Sequence, residues 1–222
     1  MVDRWVRERK SDAFYKMAKR SGYRSRATFK LKQISARYGL LRKGFVVVDL
    51  GAAPGGWSQA ALEFVGPSGA VVGVDLVRVA PLPPARFIRG DMTRRETLRS
   101  IKEEIRRALA LPPDAPTPGV DAVISDMSPN ISGVYSVDQA RSLVLASKAL
   151  GAARGLLRPG GNFCTKVFEG EDFAGILKEV EGSFAFVKVH APIASRKASS
   201  EVYIIAKGFR GGKRKARIQE EG

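Results

Sequence analysis

Short apolar runs alternate along this chain with longer segments whose apolar residues recur at helical spacing. The short runs predict seven strands, and most of the longer segments predict helices. The predicted strands are Val46–Val48, Ala70–Val74, Phe87–Ile88, Val120–Ile124, Asn162–Phe168, Phe184–Val189 and Glu201–Ala206. Strands that alternate with helices predict an α/β fold, in which a mostly parallel sheet carries helices on both faces.

The predicted helices begin and end at recognisable residues. In the first of them, Ser25 is the predicted N-cap and Gly39 the predicted stop. Lys30 lies off the centre of its apolar face, where a lysine is usually solvated. Later helices are predicted at Ser58–Phe64, Arg94–Leu109, Val137–Leu157 and Phe173–Val180. Only a loop separates the last two strands, so we expect them to pair as an antiparallel hairpin at the sheet edge.

Length and cysteine content narrow the class of protein. The 222 residues fit one α/β domain, which we assign to residues 1–207. Cys164 is the single cysteine, so no intramolecular disulfide forms, which fits a reducing cytoplasm. With one cysteine and one histidine, no zinc site is predicted. We expect a cytoplasmic monomer without a membrane partner, because the chain has no signal peptide, long apolar span or leftover apolar stripe.

The charge of the chain favours a polyanionic partner. Lys and Arg number 38 against 22 Asp and Glu, a net charge of +16 that suggests nucleic acid. In segment 1–40 the basic residues are interleaved with aromatic residues, which suits RNA because rings stack on unpaired bases. An amphipathic helix that packs its aromatic residues on the domain explains the same segment. The basic tail, residues 208–222, is expected to be disordered until it meets RNA.

A glycine-rich turn follows the first predicted strand. Asp49 ends the strand, and the turn continues through Gly51, Gly55 and Gly56 before the next helix. Glycines let a ligand approach the backbone, where a side chain would clash. A dinucleotide needs Gly-x-Gly-x-x-Gly, but Ala53 occupies the third position of that pattern, so a cationic ligand without phosphate, such as S-adenosylmethionine, fits the acidic strand end better. An ordinary strand-to-helix turn is the simpler alternative.

Two further aspartates follow strands in the same way. Asp75 ends the second strand about 20 positions after the glycines, where an acidic residue binds the hydroxyls of an adenosine ribose. Asp91 follows the third strand and is a candidate partner of the adenine amino group. Each of these residues alone is more often a cap. Three at successive strand ends predict a nucleoside site at the carboxyl edge of the sheet.

Longer motifs extend over most of the chain. They are Arg24-Ser25-Arg26-Ala27, Phe29-Lys30-Leu31, Asp49 to Gln59, Asp126 to Gly133, Cys164 to Phe168 and Ser195 to Tyr203. In these motifs the chain resembles the FtsJ/RrmJ family of RNA ribose 2′-O-methyltransferases, which implies a Rossmann-like class I methyltransferase fold with S-adenosylmethionine as cofactor. The first twenty residues and the basic tail are particular to this sequence.

The resemblance implies two sets of site residues. The catalytic set of the family corresponds to Lys30, Asp126, Lys166 and Glu201. The cofactor contacts correspond to Gly55, Trp57, Asp75, Asp91 and Asp126. Relatives of this size mostly modify a uridine ribose in the peptidyl-transferase-centre loop of large-subunit rRNA, and others modify riboses of the tRNA anticodon loop, so the resemblance ranks rRNA first.

Methylation of a ribose hydroxyl explains why lysines and carboxylates are needed. The 2′-hydroxyl is a very weak acid that must lose its proton during or before its attack on the methyl carbon. Lys166 is the candidate base, which requires that burial or a neighbouring cation lower its pKa, and Lys30 is the candidate cation. Asp126 and Glu201 would orient the two lysines and the ribose. The simpler alternative is a pair of salt bridges at strand ends.

Two rival functions are distinguishable. Enzymes that methylate amino groups typically carry Asp/Asn-Pro-Pro and an aromatic residue after the fourth strand, to hold a flipped base. Here Asp126 to Asn130 contains neither the Pro-Pro pair nor the aromatic residue. A catalytically silent RNA-binding assembly factor would keep the basic segments but has no need for all four catalytic residues.

Overall fold

Seven strands of the described chain form one mixed sheet with helices on both faces. The computed structural model describes residues 13–112, 114–194 and 200–211. The strands are β1 Val46–Leu50, β2 Ala70–Asp75, β3 Arg86–Arg89, β4 Val120–Ser125, β5 Leu157–Phe168, β6 Phe184–His190 and β7 Glu201–Phe209. The helices are α1, described over 13–20, α2 Thr28–Tyr38, α3 Gly56–Val65, α4 Arg95–Ala108, α5 Tyr135–Leu156 and α6 Phe173–Ser183.

The order of the strands agrees with the prediction of a mostly parallel sheet. It is β3-β2-β1-β4-β5-β7-β6, and the strands β1 to β5 are parallel to one another. The predicted antiparallel pairing of β6 with β7 is confirmed. β7 is inserted between β5 and β6 and is antiparallel to both, so only β6 of these last two strands lies at the sheet edge. The β5–β7 register pairs Lys166 with Tyr203 and Phe168 with Glu201.

Side chains that alternate along each strand build two separate cores. Val46, Val48 and Leu50 of β1 join the core beneath α4, α5 and α6, whereas Val47 joins the core beneath α2 and α3. Cys164 and Tyr203 also belong to the α2–α3 core. Because alternate residues of a strand share a face, Lys166 and Glu201 are directed toward α2 as well.

Several local predictions need correction. β1 continues to Leu50, so Asp49 is an interior, fully buried strand residue and does not end the strand. Helix α2 begins at Thr28 with Ala27 as N-cap, because the Ser25 hydroxyl lies against Gly56 at the start of α3 and does not cap α2. Gly39 ends α2 as predicted, in the left-handed conformation that glycine favours.

The domain also continues beyond the predicted boundary at residue 207. Strand β7 extends to Phe209, whose buried ring lies 5.3 Å from the ring of Phe184. The backbone N–H of Arg210 donates to the Ser183 carbonyl. Burial of the Phe209 ring therefore keeps the first residues of the predicted tail in the sheet. Residues 212–222, the rest of that tail, lie outside the described residues.

Candidate active site

The four residues predicted to be catalytic come together as two ion pairs. The Lys30 Nζ lies 2.5 Å from the Glu201 Oε1, and the Lys166 Nζ lies 3.1 Å from the Asp126 Oδ1. The Lys166 Nζ also donates to the Asp126 carbonyl at 2.7 Å. Four elements supply these side chains: helix α2, the end of β4, strand β5 and strand β7.

Both lysines are buried. Lys30 and Lys166 are each only 6% exposed, so the expectation that Lys30 is solvated is wrong. The reason is its partner: Glu201 lies on β7, 171 positions away in the sequence, and gives the buried ammonium an opposite charge. A buried charge is tolerated when such a partner offsets the loss of hydration.

Tyr203, which the sequence did not single out, connects the two ion pairs. Its hydroxyl donates to the Asp126 Oδ1 at 2.6 Å and lies 3.3 Å from the Glu201 Oε1. Burial, together with the two nearby carboxylates, raises the pKa of Tyr203 well above its usual range, so the phenol keeps its proton and stays a donor. Tyr203 is two residues after Glu201, so the two side chains lie on the same face of β7. This spacing is the sequence signal that could have identified Tyr203.

A cavity of about 420 Å³ borders the ion pairs. Asp75, Asp91 and Asp126 all line it, as do Gly51 and Ala53 of the glycine-rich turn. The carboxylate of Asp75 accepts from the Ala53 N–H at 2.9 Å and from the Val77 N–H at 3.0 Å. Asp75 and Asp91, two of the three strand-end aspartates, therefore lie together at one edge of the sheet, and Asp126 joins them.

The electrostatics of the cavity suit a polar, cationic ligand. Asp91 accepts from the backbone N–H and the hydroxyl of Thr93, and these bonds lower the pKa of its carboxyl. It therefore stays ionised at neutral pH. Gly51 has a φ of +74°, and a Cβ at this position would lie 2.2 Å from the Met127 Cγ. Glycine at this position thus lets the backbone of the turn pack closely against Met127, which also lines the cavity.

Gly55 and Trp57 do not line this cavity. The Trp57 indole is buried, donates to the Ala27 carbonyl at 2.9 Å and stacks on the Tyr203 ring, with 5.6 Å between ring centroids. The Trp57 side chain therefore supports Tyr203 from behind. A contact of Gly55 or Trp57 with the cofactor remains a prediction.

Arg24 connects the N-terminal segment to the glycine-rich turn. Its guanidinium donates to the carbonyls of Pro54, Ala80 and Pro81 at 3.2, 2.6 and 2.6 Å. A Cβ at Gly55 would lie 2.8 Å from the same guanidinium, so the turn can receive Arg24 only with glycine there. Arg24 was predicted to contact RNA with the rest of segment 1–40, but its guanidinium is used within the domain.

We expect Arg24→Ala to weaken the binding of S-adenosylhomocysteine in the cavity roughly tenfold. The variant loses the charged donor that connects the glycine-rich turn to the carbonyls of Ala80 and Pro81. Calorimetric titration with S-adenosylhomocysteine measures this effect. Lys19→Ala, which removes the same charge from an exposed position of α1, is the control and should bind like the wild type. Equal affinity of the Arg24 and Lys19 variants would show that Arg24 does not hold the turn.

Asp49 lies beneath the turn and is fully buried. Its Oδ2 accepts from the Ser58 hydroxyl at 2.6 Å, and its Oδ1 has no hydrogen-bond partner among the described residues. Burial raises the pKa of Asp49 to about 7, and the neighbouring Asp126 and Asp75 add to the effect. Asp49 therefore braces the start of α3 through Ser58.

This pKa makes the stability of the domain depend on pH. Between about pH 4, where an unfolded aspartate ionises, and about pH 7, the folded chain holds a proton that the unfolded chain has released. Stability should therefore fall as the pH rises through this range, by on the order of 4 kcal/mol, and the loss should level off above pH 7. Urea unfolding of the wild type and Asp49→Asn at several pH values tests this. The stability of Asp49→Asn should not show this fall between about pH 4 and pH 7. Parallel pH profiles of stability for the two proteins would contradict the assigned pKa of Asp49.

Comparison with known proteins decides the family. The model of the FtsJ-like methyltransferases matches residues 23–209. The chain belongs to the FtsJ-like methyltransferase family. Within the family, it is 47% identical over 212 residues to the ribosomal RNA large subunit methyltransferase E of Methanococcus maripaludis, covering 95% of this chain and 78% of that one. The enzyme of the same name from Pseudomonas aeruginosa is 44% identical over 208 residues, covering 94% and 96%.

Solved structures show the same family fold. One is described as a ribosomal RNA methyltransferase from Plasmodium falciparum and superposes on this FtsJ-like chain with a TM-score of 0.71 and 25% sequence identity. The match covers 86% of this chain and 100% of the Plasmodium chain. The Rossmann-like class I methyltransferase fold is thereby confirmed. One family motif, Ser195 to Tyr203, lies partly outside the described residues, because 195–199 are not among them.

The described part of this FtsJ-like domain contains neither a metal-binding cluster nor a membrane-spanning helix. Among residues 13–112, 114–194 and 200–211, no group of three or more His, Cys, Asp or Glu side chains is arranged to hold a metal ion. In the same ranges no helix has the length and apolar character needed to cross a membrane.

Proposed function

We propose that this protein transfers a methyl group from S-adenosylmethionine to a ribose 2′-hydroxyl of RNA. The observation that carries the proposal is the position of Asp126, which lines the cavity and also belongs to the paired Lys30, Lys166 and Glu201 set. A group bound in the cavity and a hydroxyl held by the lysines would meet at this residue. Short distance and correct orientation supply up to roughly 7–11 kcal/mol of acceleration in favourable cases.

The residues of the cavity fit S-adenosylmethionine. Three carboxylates face a ligand that carries two positive charges, and Asp75 and Asp91 are suited to the ribose and the adenine. When bound, this cofactor supplies a methyl group attached to a sulfonium, so that the sulfur leaves neutral. A dinucleotide is a poorer fit, because the turn lacks Gly-x-Gly-x-x-Gly and the acidic wall would repel its pyrophosphate.

The four residues of the catalytic set have different roles toward the hydroxyl that accepts the methyl group. Lys166 lies closest to Asp126 and is the group placed to receive the hydroxyl proton as the methyl group is transferred. The Lys30–Glu201 pair holds the ribose, and the Tyr203 hydroxyl keeps the two carboxylates in fixed positions. A silent assembly factor would not need this buried, costly arrangement of four charges.

The relatives support rRNA as the substrate, since the proteins 42–50% identical to this chain are named for the methylation of large-subunit ribosomal RNA. We infer that this chain acts on a uridine in the peptidyl-transferase-centre loop, as a cytoplasmic monomer. The net charge of +16 supports an RNA partner. Residues 1–12 and 212–222, which hold much of the predicted RNA-binding sequence, lie outside the described residues.

Mapping 2′-O-methyl groups in the rRNA and tRNA of cells that lack this gene tests the substrate. We expect one uridine of the large-subunit rRNA to lose its methyl group, and a plasmid copy of the gene to restore it. Loss at a tRNA anticodon-loop ribose would favour the alternative substrate. If both maps stay unchanged, the proposed function is wrong.

A further inference from the structure

A second cavity, of about 490 Å³, adjoins the cofactor cavity. It is lined by Pro129, Asn130, Ala140, Arg141, Val144 and Leu145. Leu145 lines both cavities, so they are neighbours separated by one side chain. Pro129 lies three residues after Asp126, which is at most about 11 Å along the chain. A group in the second cavity would therefore lie close to the target ribose.

On α5, two apolar residues of this cavity lie between two cations: Arg141, which lines the same cavity, and Lys148, which lines the cofactor cavity. Arg141, Val144, Leu145 and Lys148 follow one another at helical spacing and so share one stripe of the helix. Val144 is 54% exposed, although it is a large aliphatic residue. An exposed apolar strip between two cations suits a ligand with an apolar, flat part and a negatively charged part.

The opposite wall is held in place by hydrogen bonds. The Asp138 carboxylate accepts from the Ser132 N–H and hydroxyl, each at 2.8 Å, and from the Gly133 N–H at 3.2 Å. The Arg141 guanidinium donates to the Asn130 carbonyl at 3.3 Å, and both residues line the cavity. The loop that follows Asp126 is thus shaped before any ligand arrives. Preformed sites lose less conformational entropy on binding.

We propose that this second cavity binds an unstacked nucleobase of the RNA, one that neighbours the target nucleotide. A base fits the apolar strip at Val144 and can stack on a guanidinium such as that of Arg141, whose positive charge also attracts the adjoining phosphate. The proposal rests on the proposed function, because it assigns the site to the RNA that supplies the ribose. It also implies that the RNA must be single-stranded at this point, since a paired base cannot enter.

The test compares two RNA probes and three proteins. One probe is a fluorescein-labelled oligouridine, and the other has the same length and phosphates but abasic spacers in place of the nucleosides. The proteins are the wild type, Val144→Asp and Gly155→Asp. Gly155 lies on the same exposed side of α5, about 16 Å further along, where an added side chain meets nothing within 4 Å, so its variant controls for the added charge.

Fluorescence anisotropy should show that the wild type prefers oligouridine to the abasic probe. In Val144→Asp, affinity for oligouridine should fall roughly tenfold, toward that for the abasic probe, while Gly155→Asp stays within about twofold of the wild type. Affinity for the abasic probe should fall much less in Val144→Asp, which separates loss of the base site from repulsion between the new carboxylate and the phosphates. Equal losses in both variants, or no loss in Val144→Asp, would overturn the proposal.

Methyl transfer separates this proposal from the proposed function. If the wild type methylates RNA but Val144→Asp binds and methylates as well as the wild type, only the second cavity is misassigned. If the wild type distinguishes the two probes but transfers no methyl group, the base site stands and the proposed reaction fails.

Discussion

Replacing Lys166 by alanine is expected to abolish methyl transfer while cofactor affinity stays nearly unchanged. The Lys166 Nζ contacts the Asp126 carboxylate and carbonyl, and Lys166 does not line the cofactor cavity. Loss of a positioned proton acceptor typically lowers the rate by about 10²–10⁴-fold. Single-turnover rates with bound cofactor measure this step, and calorimetry with S-adenosylhomocysteine measures the affinity. Lys178→Ala, at an exposed lysine of α6, is the control for removal of a positive charge.

The arginine variant separates a base from an electrostatic clamp. Arginine keeps the positive charge but cannot give up its proton near neutral pH. We therefore expect Lys166→Arg to be inactive too, and Lys30→Ala to be milder if Lys30 only holds the ribose. If Lys166→Arg kept most of the activity, Lys166 would act only by its charge, and Asp126 or water would have to be the base.

Replacing Asp75 by alanine is expected to weaken cofactor binding by about 10- to 100-fold. Its carboxylate lines the cavity and also fixes the turn through the Ala53 N–H, so the variant loses both a ligand contact and the support of the turn. Hydrogen bonds that involve a charged group contribute about 1.5–3 kcal/mol, which sets the expected range. Calorimetric titration with S-adenosylmethionine and with S-adenosylhomocysteine measures the effect.

Asp121→Ala is the matched control, because Asp121 lies at the opposite end of β4, where it accepts from the Val46 N–H and pairs with Arg158. Its variant should bind the cofactor like the wild type once folding has been checked by thermal unfolding. Unchanged affinity in Asp75→Ala would remove Asp75 from the site. Comparable affinity of the wild type for NAD would contradict the choice of cofactor.

Local sequence patterns were sufficient to predict the strands β1 to β4 and the aspartates at the carboxyl edge of the sheet. β1 to β4 are short apolar runs, and a run followed by an aspartate correctly placed Asp75 and Asp91 at the cofactor cavity. Asp49 follows the same pattern but is buried inside β1, because one more apolar residue, Leu50, continues the strand. Neighbouring residues alone do not show whether such an aspartate ends a strand or interrupts it.

The catalytic constellation could not be obtained from local patterns. Lys30 and Glu201 are 171 positions apart in the sequence. They meet only because β7 is inserted next to β5, which brings Glu201 to the face of the sheet that α2 covers. Their assignment to one catalytic set came from the resemblance to the family and not from periodicity. Tyr203 was missed because a tyrosine in an apolar strand resembles a core residue, which it also is: it is fully buried and stacks on Trp57.

The position of the transferred methyl group tests the central claim most directly. Purified protein would be incubated with ribosomal RNA and isotopically labelled S-adenosylmethionine, and the RNA digested to nucleosides for mass spectrometry. We expect label on the ribose of one nucleoside, 2′-O-methyluridine, with the wild type and none with Lys166→Ala. Label on a base, or equal labelling of the ribose by Lys166→Ala, would contradict it.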